Sequence, residues 1–276
     1  MTMDSSYKKQ KIINYLILSF ISFFTLTPFC IMLVMGTYKN EDLFTGFHIL
    51  PGSYLLQNLK TVFNTSYLLY YRNSLIIGVS STLFTLLSSS LCGYALAKYK
   101  FRLRKAMQSF VLATLMVPGQ LGLIAFVWQM RQFGWTDTFY PLILPALANS
   151  FGVFWMSQYI KDSVPDEVIE SARVDGSGEF RTFFQIVIPY IKPALVALAL
   201  LYFVGSWNNF LGPLVILTKP KLFTIPIGIT ALGSMYRLDY AARILGLSLS
   251  TFPIIILFIS SSKAFLSGIT VGAIKG

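Results

Sequence analysis

Six of the eleven acidic side chains in this 276-residue chain fall between Asp162 and Glu179, the part of the sequence best supplied with reactive groups. The order Ser163-Val-Pro165-Asp166-Glu167 reads as a helix start. Ser163 can cap it, Pro165 suits its first turn, and the two acids complement the positive helix end. Gly176 can end that helix in a left-handed conformation. A second short helix is expected from Glu179 to Ile188, stopping near Pro189. Other chemistry is sparse. A hydrolase needs a carboxylate, histidine or metal cluster, yet the only histidine, His48, stands in a loop with no partner for a zinc site. No Gly-x4-Gly-Lys-Ser/Thr run occurs, so this chain does not hold ATP through a P-loop. The chain is expected to have no catalytic residues and no metal ligands, and to act as something other than an enzyme.

A second set of groups is neutral. Ser206-Trp207-Asn208-Asn209, Asn149-Ser150 with Trp155, and Gln120 with Trp128-Gln129 all lie within apolar surroundings. Asn and Gln donate and accept hydrogen bonds, and Trp adds a flat apolar face. Together they would suit an uncharged, polyhydroxylated ligand such as a sugar. They would equally serve as hydrogen-bonded glue between helices, and the residue types alone leave both readings open.

The elements that must position these groups are membrane spans. Hydrophobic residues make up 55% of the chain and charged ones 12%, against roughly 25% charged in soluble proteins. Uncharged stretches run 12–36, 73–97, 106–130, 138–160, 193–218 and 244–262, each near the ~20 residues that cross the hydrocarbon core. The expected fold is an all-α integral membrane protein with six spans: a short N-terminal segment, 1–11, and one transmembrane domain, 12–276.

The net charge of +11 could suggest nucleic acid, but its placement points to a membrane. The loop Lys98–Lys105 carries five basic residues. By the positive-inside rule both termini then lie in the cytoplasm, with 161–192 inside and 37–71, 131–137 and 219–243 outside. The first span is too long for the apolar region of a signal peptide and lacks a small-x-small cleavage site. Cys30 and Cys92 fall about 27 Å and 7 Å from the inner ends of their spans, too far apart in depth for a disulfide, and read as small buried apolar residues. The outer loop 37–71 should hold a short helix from Ser53 to about Phe63. The uncharged run Leu222–Tyr236, broken by Pro226, Gly228 and Gly233, is too short to span and fits a re-entrant or outward-facing flap. Pro118-Gly119 at the middle of span three predicts a kink.

No span has an Asp, Glu, Lys, Arg or His in its interior. Ion-coupled carriers usually place such groups near the midplane, so the energy for any transport is expected from outside this chain.

Glu170-Ser171-Ala172, Gly176 six residues after the glutamate, and Ile186-x-Ile188-Pro189 resemble the EAA motif of bacterial ABC importer permeases. Ser171 replaces the family's second alanine and Ile188 its leucine. Val174-Asp175-Gly176, Gly205-Ser-Trp-Asn208 and the tail Gly268–Gly276 are similar to the carbohydrate-uptake branch, within it to the second permease subunit of maltose- and multiple-sugar-type systems. The resemblance implies the type I importer fold in a bacterial cytoplasmic membrane. It also implies a homologous permease partner, two ATPase subunits that carry ATP and Mg, an extracellular binding protein and a sugar cargo. In it 161–192 is the coupling loop: Glu170 makes a polar contact to the ATPase, Ser171 and Ala172 permit close packing, and Gly176 shapes the turn, with Asp175 and Pro189 in the same motif. A non-sugar cargo in the same machine, or a secondary carrier, are the alternatives.

Overall fold

The computed structural model describes residues 2–46, 48–230, 232–234 and 237–273. Tyr236, Lys275 and the end of the tail, 274–276, lie outside them. Fourteen helices are described: α1 Thr2–Met35, α2 Leu55–Phe63, α3 Tyr67–Lys98, α4 Arg104–Leu115, α5 Leu123–Gln132, α6 Tyr140–Ile143, α7 Ser150–Ser163, α8 Asp166–Val174, α9 Glu179–Thr182, α10 Ile188–Trp207, α11 Leu211–Ile216, α12 Ile225–Thr230, α13 Tyr240–Ser250 and α14 Phe252–Ala273. A two-residue antiparallel ladder, β1 Gly233–Ser234 with β2 Arg237–Leu238, precedes α13.

Among the described residues four helical runs are long and apolar enough to cross a membrane: Tyr7–Met35, Tyr67–Lys98, Glu179–Trp207 and Tyr240–Ser262. The pair Arg104–Leu115 and Gly119–Gln132 would make a fifth, bent by 85°. Pro118 causes that bend. It removes a backbone donor and sits with ψ 121°, outside helical space. The fourth expected span, 138–160, is not one helix. Pro141 and Pro145 limit its first half to short turns, and Asn149, at ψ 99°, starts α7 afresh by accepting from the Gly152 amide at 2.6 Å. The fifth is displaced. It runs from Glu179 rather than from Pro193, because Lys192, taken as a boundary charge, is an exposed residue within the helix.

The chain divides into two compact units, Met1–Tyr67 with Ile229–Phe252, and Leu68–Gly228 with Pro253–Gly276. In the first, α13 packs on α1 and α2. A Cβ on Gly36 would stand 3.0 Å from the Leu245 side chain, so that glycine permits the approach. Buried Asn58 donates to the carbonyls of Gly36 and Tyr38 at 2.9 and 2.8 Å, and the Tyr67 hydroxyl donates to the Gly246 carbonyl at 2.8 Å. Phe20, Phe23 and Phe24 of α1 are exposed, as a lipid-facing helix requires. Cys30 is exposed on the same helix, and Cys92 is exposed on α3. Both are free, so neither is the buried apolar residue expected.

In the second unit α3 and α7 meet through small residues: Gly93 against Met156 and Ser157, and Gly152 against Ser89. On the other side of α3, Asn73 is 1% exposed and donates to the carbonyls of Lys221 and Phe223, each at 3.0 Å, while the Ser74 hydroxyl accepts from the Ile225 amide. These bonds hold the start of the expected flap as a short turn, Pro220–Leu222, followed by α12. Replacing Asn73 with leucine leaves two part-buried carbonyls without their donor, at a cost of about 1–3 kcal/mol. It should therefore open the 219–225 segment, read as faster amide exchange there, and unchanged exchange would refute the staple. Asp137, at φ 57°, accepts from the amides of Thr218 and Lys219 and from the Thr218 hydroxyl, which holds its carboxyl below the usual range, the Thr218 amide bond first.

Candidate functional site

The segment from Ser163 to Pro189 folds as two helical pieces beneath the end of α3, and its core is continuous with that of the spans. Ile169 and Ala172, on the inward face of α8, are 2% and 5% exposed. Ile169 belongs to a cluster with Tyr94, Met156, Ile160, Val164, Phe183, Val187 and Ile191. The three-residue spacing puts both on one side of the helix. The opposite side shows Glu167, Glu170, Ser171 and Val174 to solvent, with Val174 87% exposed; Phe180, on α9, is 74% exposed.

Two details of the start and end differ in outcome. Ser163 does not cap α8. It ends α7, its hydroxyl donating to the Tyr159 carbonyl at 2.6 Å, and Pro165 rather than a first-turn residue takes the cap position without a side-chain bond. Gly176 does end α8 in the left-handed region, at φ 76°. The Ser177 amide donates to Ala172 O at 2.9 Å and the Gly176 amide to Arg173 O at 3.0 Å, the paired bonds of a Schellman turn.

Polar ties clamp the segment to α3. The Lys98 ammonium, 6% exposed, donates to the Val164 carbonyl and to Asp166 Oδ1, both at 2.6 Å. That hydrogen bond holds the Asp166 carboxyl below its usual range. Glu179 Oε2 accepts from the Tyr99 hydroxyl and, at 3.4 Å, from that of Tyr94, while Oε1 accepts from Arg173 Nε at 3.0 Å. The Arg173 guanidinium lies 5.4 Å from the Tyr99 ring centre. Burial, then the bond to Glu179, pushes the Tyr99 hydroxyl up. Tyr94 and Tyr99 did not stand out in the sequence, and Lys98 and Glu179 read only as a loop charge and a helix start, although the Tyr–Lys–Tyr order at one span end, facing an acid-rich loop, is the signal that was there.

After α9 the chain does not stop at Pro189. Phe183–Val187 forms a π turn and α10 continues with Pro189 in its first turn. A proline lacks the amide that an α-helix would use at that point and crowds the carbonyl four residues back. The wider turn absorbs both, so the helix runs on.

The neutral groups fall at helix interruptions. Gln120 is exposed in the turn after Pro118, Asn149 caps α7, and Asn208 and Asn209 follow the end of α10, with Asn209 Oδ1 accepting from the Gly212 amide at 3.2 Å. Ser150 accepts from Thr114 Oγ1 at 2.7 Å and Ser206 pairs with Ser81 at 3.1 Å, both across neighbouring helices. Trp207 is 2% exposed, between Phe203 and Tyr71. For Ser150, Ser206 and Trp207 the structure thus supplies helix-to-helix contacts; Gln120, Asn208 and Asn209 remain presented to solvent. Among the described residues no group of three His, Cys, Asp or Glu stands together as metal ligands.

Residues 89–271 match the family described as binding-protein-dependent transport system inner membrane component. The chain belongs to that family. This permease is therefore an inner-membrane, multi-pass component of an ABC transport system. It is 35% identical, over 99% of its length and 97% of the relative's, to the arabinooligosaccharides transport system permease protein AraQ of Bacillus subtilis (strain 168). It is 31% identical, over 96% of both chains, to the lactose transport system permease protein LacG of Rhizobium radiobacter. It shares its fold with a chain of a bacterial ABC transporter involved in the import of the acidic polysaccharide alginate, with a TM-score of 0.78 at 21% identity, over 94% of this permease and 98% of that chain.

Proposed function

We infer that this permease moves a sugar or oligosaccharide into the cell by alternating access, fed by an extracellular binding protein and driven by separate ATPase subunits. The observation that carries the cargo assignment is the near full-length match to relatives named for arabinooligosaccharides and lactose. The neutral groups at the helix breaks support it. An interrupted helix leaves backbone donors and acceptors open at membrane depth, and Gln120, Asn208 and Asn209 add amides that suit hydroxyl groups.

In this reading the chain works beside a homologous permease and two ATPases, which hold the ATP and Mg, and both its termini are cytoplasmic. The outward face of α8 docks one ATPase. Glu170 makes the polar contact and Ser171 the close one, Asp175 and Gly176 form the turn behind them, and Pro189 lies where the loop joins α10. Ala172, packed inside, sets the height of α8 above the spans rather than meeting the partner.

The experiment is ATP hydrolysis by the whole complex in vesicles, with and without sugar-loaded binding protein. Stimulation by a loaded binding protein is expected; no stimulation by any carbohydrate would sink the cargo assignment. Ser171→Trp adds bulk only on the exposed face, so the chain should keep its own stability. Lost docking of about 1.4 kcal/mol would lower transport roughly tenfold. Full transport by Ser171→Trp would remove α8 from the coupling role.

A further inference from the structure

One face of α4 and one face of α7 leave a groove of about 230 Å³ where they meet the end of α3. Its lining changes along its length. Arg104 and Lys161 stand at one end, Gln108 and Gln158 follow, and Leu112 and Phe154 lie beyond. On α4 the order basic, amide, apolar runs forward through 104, 108 and 112; on α7 the same order runs backward through 161, 158 and 154. These spacings keep each set on a single helix face. Both helices thus present one gradient, which at 1.5 Å per residue covers about 10–12 Å.

A phospholipid presents the matching order: charged phosphate, ester and glycerol groups, then hydrocarbon, with a polar layer roughly 5–8 Å deep on each side of a bilayer. The basic end of the groove adjoins the Lys98–Lys105 loop, where the inner surface is placed by charge. No acidic side chain is among the described lining residues. Arg104 Nη2 donates to the Ala97 carbonyl at 3.1 Å, which fixes the guanidinium and leaves its other N–H groups for an anion. Gln108 Nε2 donates to the Leu96 carbonyl at 3.3 Å, which turns its amide oxygen toward a hydroxyl donor. Asp166, whose carboxyl feels the Arg104 charge, is already paired with Lys98, and Asp162, the chain neighbour of Lys161, is exposed and does not line the groove.

We propose that this groove binds the phosphodiester headgroup of an anionic inner-leaflet phospholipid, with the first acyl carbons against Leu112 and Phe154. The site is independent of the cargo and rests only on the inward orientation of the Lys98–Lys105 loop.

The test uses the whole transport complex in neutral detergent, titrated with phosphatidylglycerol, phosphatidylcholine or inorganic phosphate, with bound lipid counted by native mass spectrometry. Each basic group beside an anionic headgroup is worth about fivefold in affinity. Arg104→Gln with Lys161→Gln should therefore weaken phosphatidylglycerol retention about thirty-fold and leave phosphatidylcholine unchanged. The charge-preserving pair Arg104→Lys and Lys161→Arg should keep the lipid, which separates lost charge from lost fold. Arg102→Gln with Lys105→Gln removes equal charge from exposed positions outside the groove and should have a much smaller effect. Equal losses in the two neutral pairs, or no loss in the first, would overturn the proposal. So would competition by inorganic phosphate at the lipid's own concentration, which would mark a free-anion site, or release of a partner subunit by the variant, which would mark a protein interface.

Discussion

Ile169→Asp is expected to lift α8 off the spans and abolish ATP-driven transport while the chain stays in the membrane. Ile169 is 2% exposed within a cluster that includes Val164, Phe183 and Val187. Burying an isoleucine is worth about 1.5–3 kcal/mol. An unpaired carboxylate in the same place adds a penalty of several kcal/mol, which the protein escapes by exposing it. The Lys98–Asp166 and Arg173–Glu179 pairs are too exposed on their acidic sides to offset that loss. Protease cutting between Val164 and Gly178 should appear in the variant, together with loss of transport. Val174→Asp, at an 87% exposed position, should leave the cutting pattern alone. A protease-resistant, transporting Ile169→Asp would show that the inward face does not hold the loop.

Gly93→Leu should cost most of the stability of the second unit. Even a methyl group at Gly93 would stand 2.7 Å from Met156 Cβ and 2.9 Å from the Ser157 amide nitrogen. One of those neighbours is backbone, so relief requires α3 and α7 to separate, and overpacking of this kind costs about 1–3 kcal/mol before a larger side chain is considered. The neighbouring close approach at Gly152, where an added Cβ would fall 2.2 Å from Ser89 Oγ, leaves little room for the helices to slide. The measurement is the Tm of the purified complex and its yield from membranes. Gly205→Ala, with nothing within 4 Å of its Cβ, should hold or raise the Tm, since alanine is about 1 kcal/mol better than glycine in a helix. An unchanged Tm for Gly93→Leu would mean that the two helices are not held by this contact.

Hydropathy alone located α1, α3, the bent α4–α5 pair and the run through α13 and α14, because a span's length and lack of charge are properties of the residues themselves. It misjudged 138–160 because apolar character says nothing about backbone continuity: Pro141, Pro145 and the capping Asn149 decide that, and each acts within one turn. The position of α10 was missed for the opposite reason. Lys192 and Pro189 both look like boundaries, yet an exposed lysine tolerates a helix end near the surface and a π turn tolerates the proline. At the loop, the left-handed glycine was legible because only glycine takes φ 76° freely. The Ser163 cap failed because its hydroxyl had a nearer acceptor four residues back in α7. The clamp of Tyr94, Lys98, Tyr99, Arg173 and Glu179 joins residues up to 85 positions apart, which no local pattern can reveal.

The π turn at Phe183–Val187 has a mechanical consequence. Glu179–Trp207 is one helical shaft of 29 residues, about 43 Å long at 1.5 Å per residue. Because the run stays helical from end to end, a displacement at Glu179 would reach Asn208 as a tilt of the rod. The single widened turn also sets the shaft's phase: its extra residue rotates everything before it by about 100° relative to everything after. That rotation decides which side chains meet α3 at one end while Phe203 and Trp207 keep their places at the other.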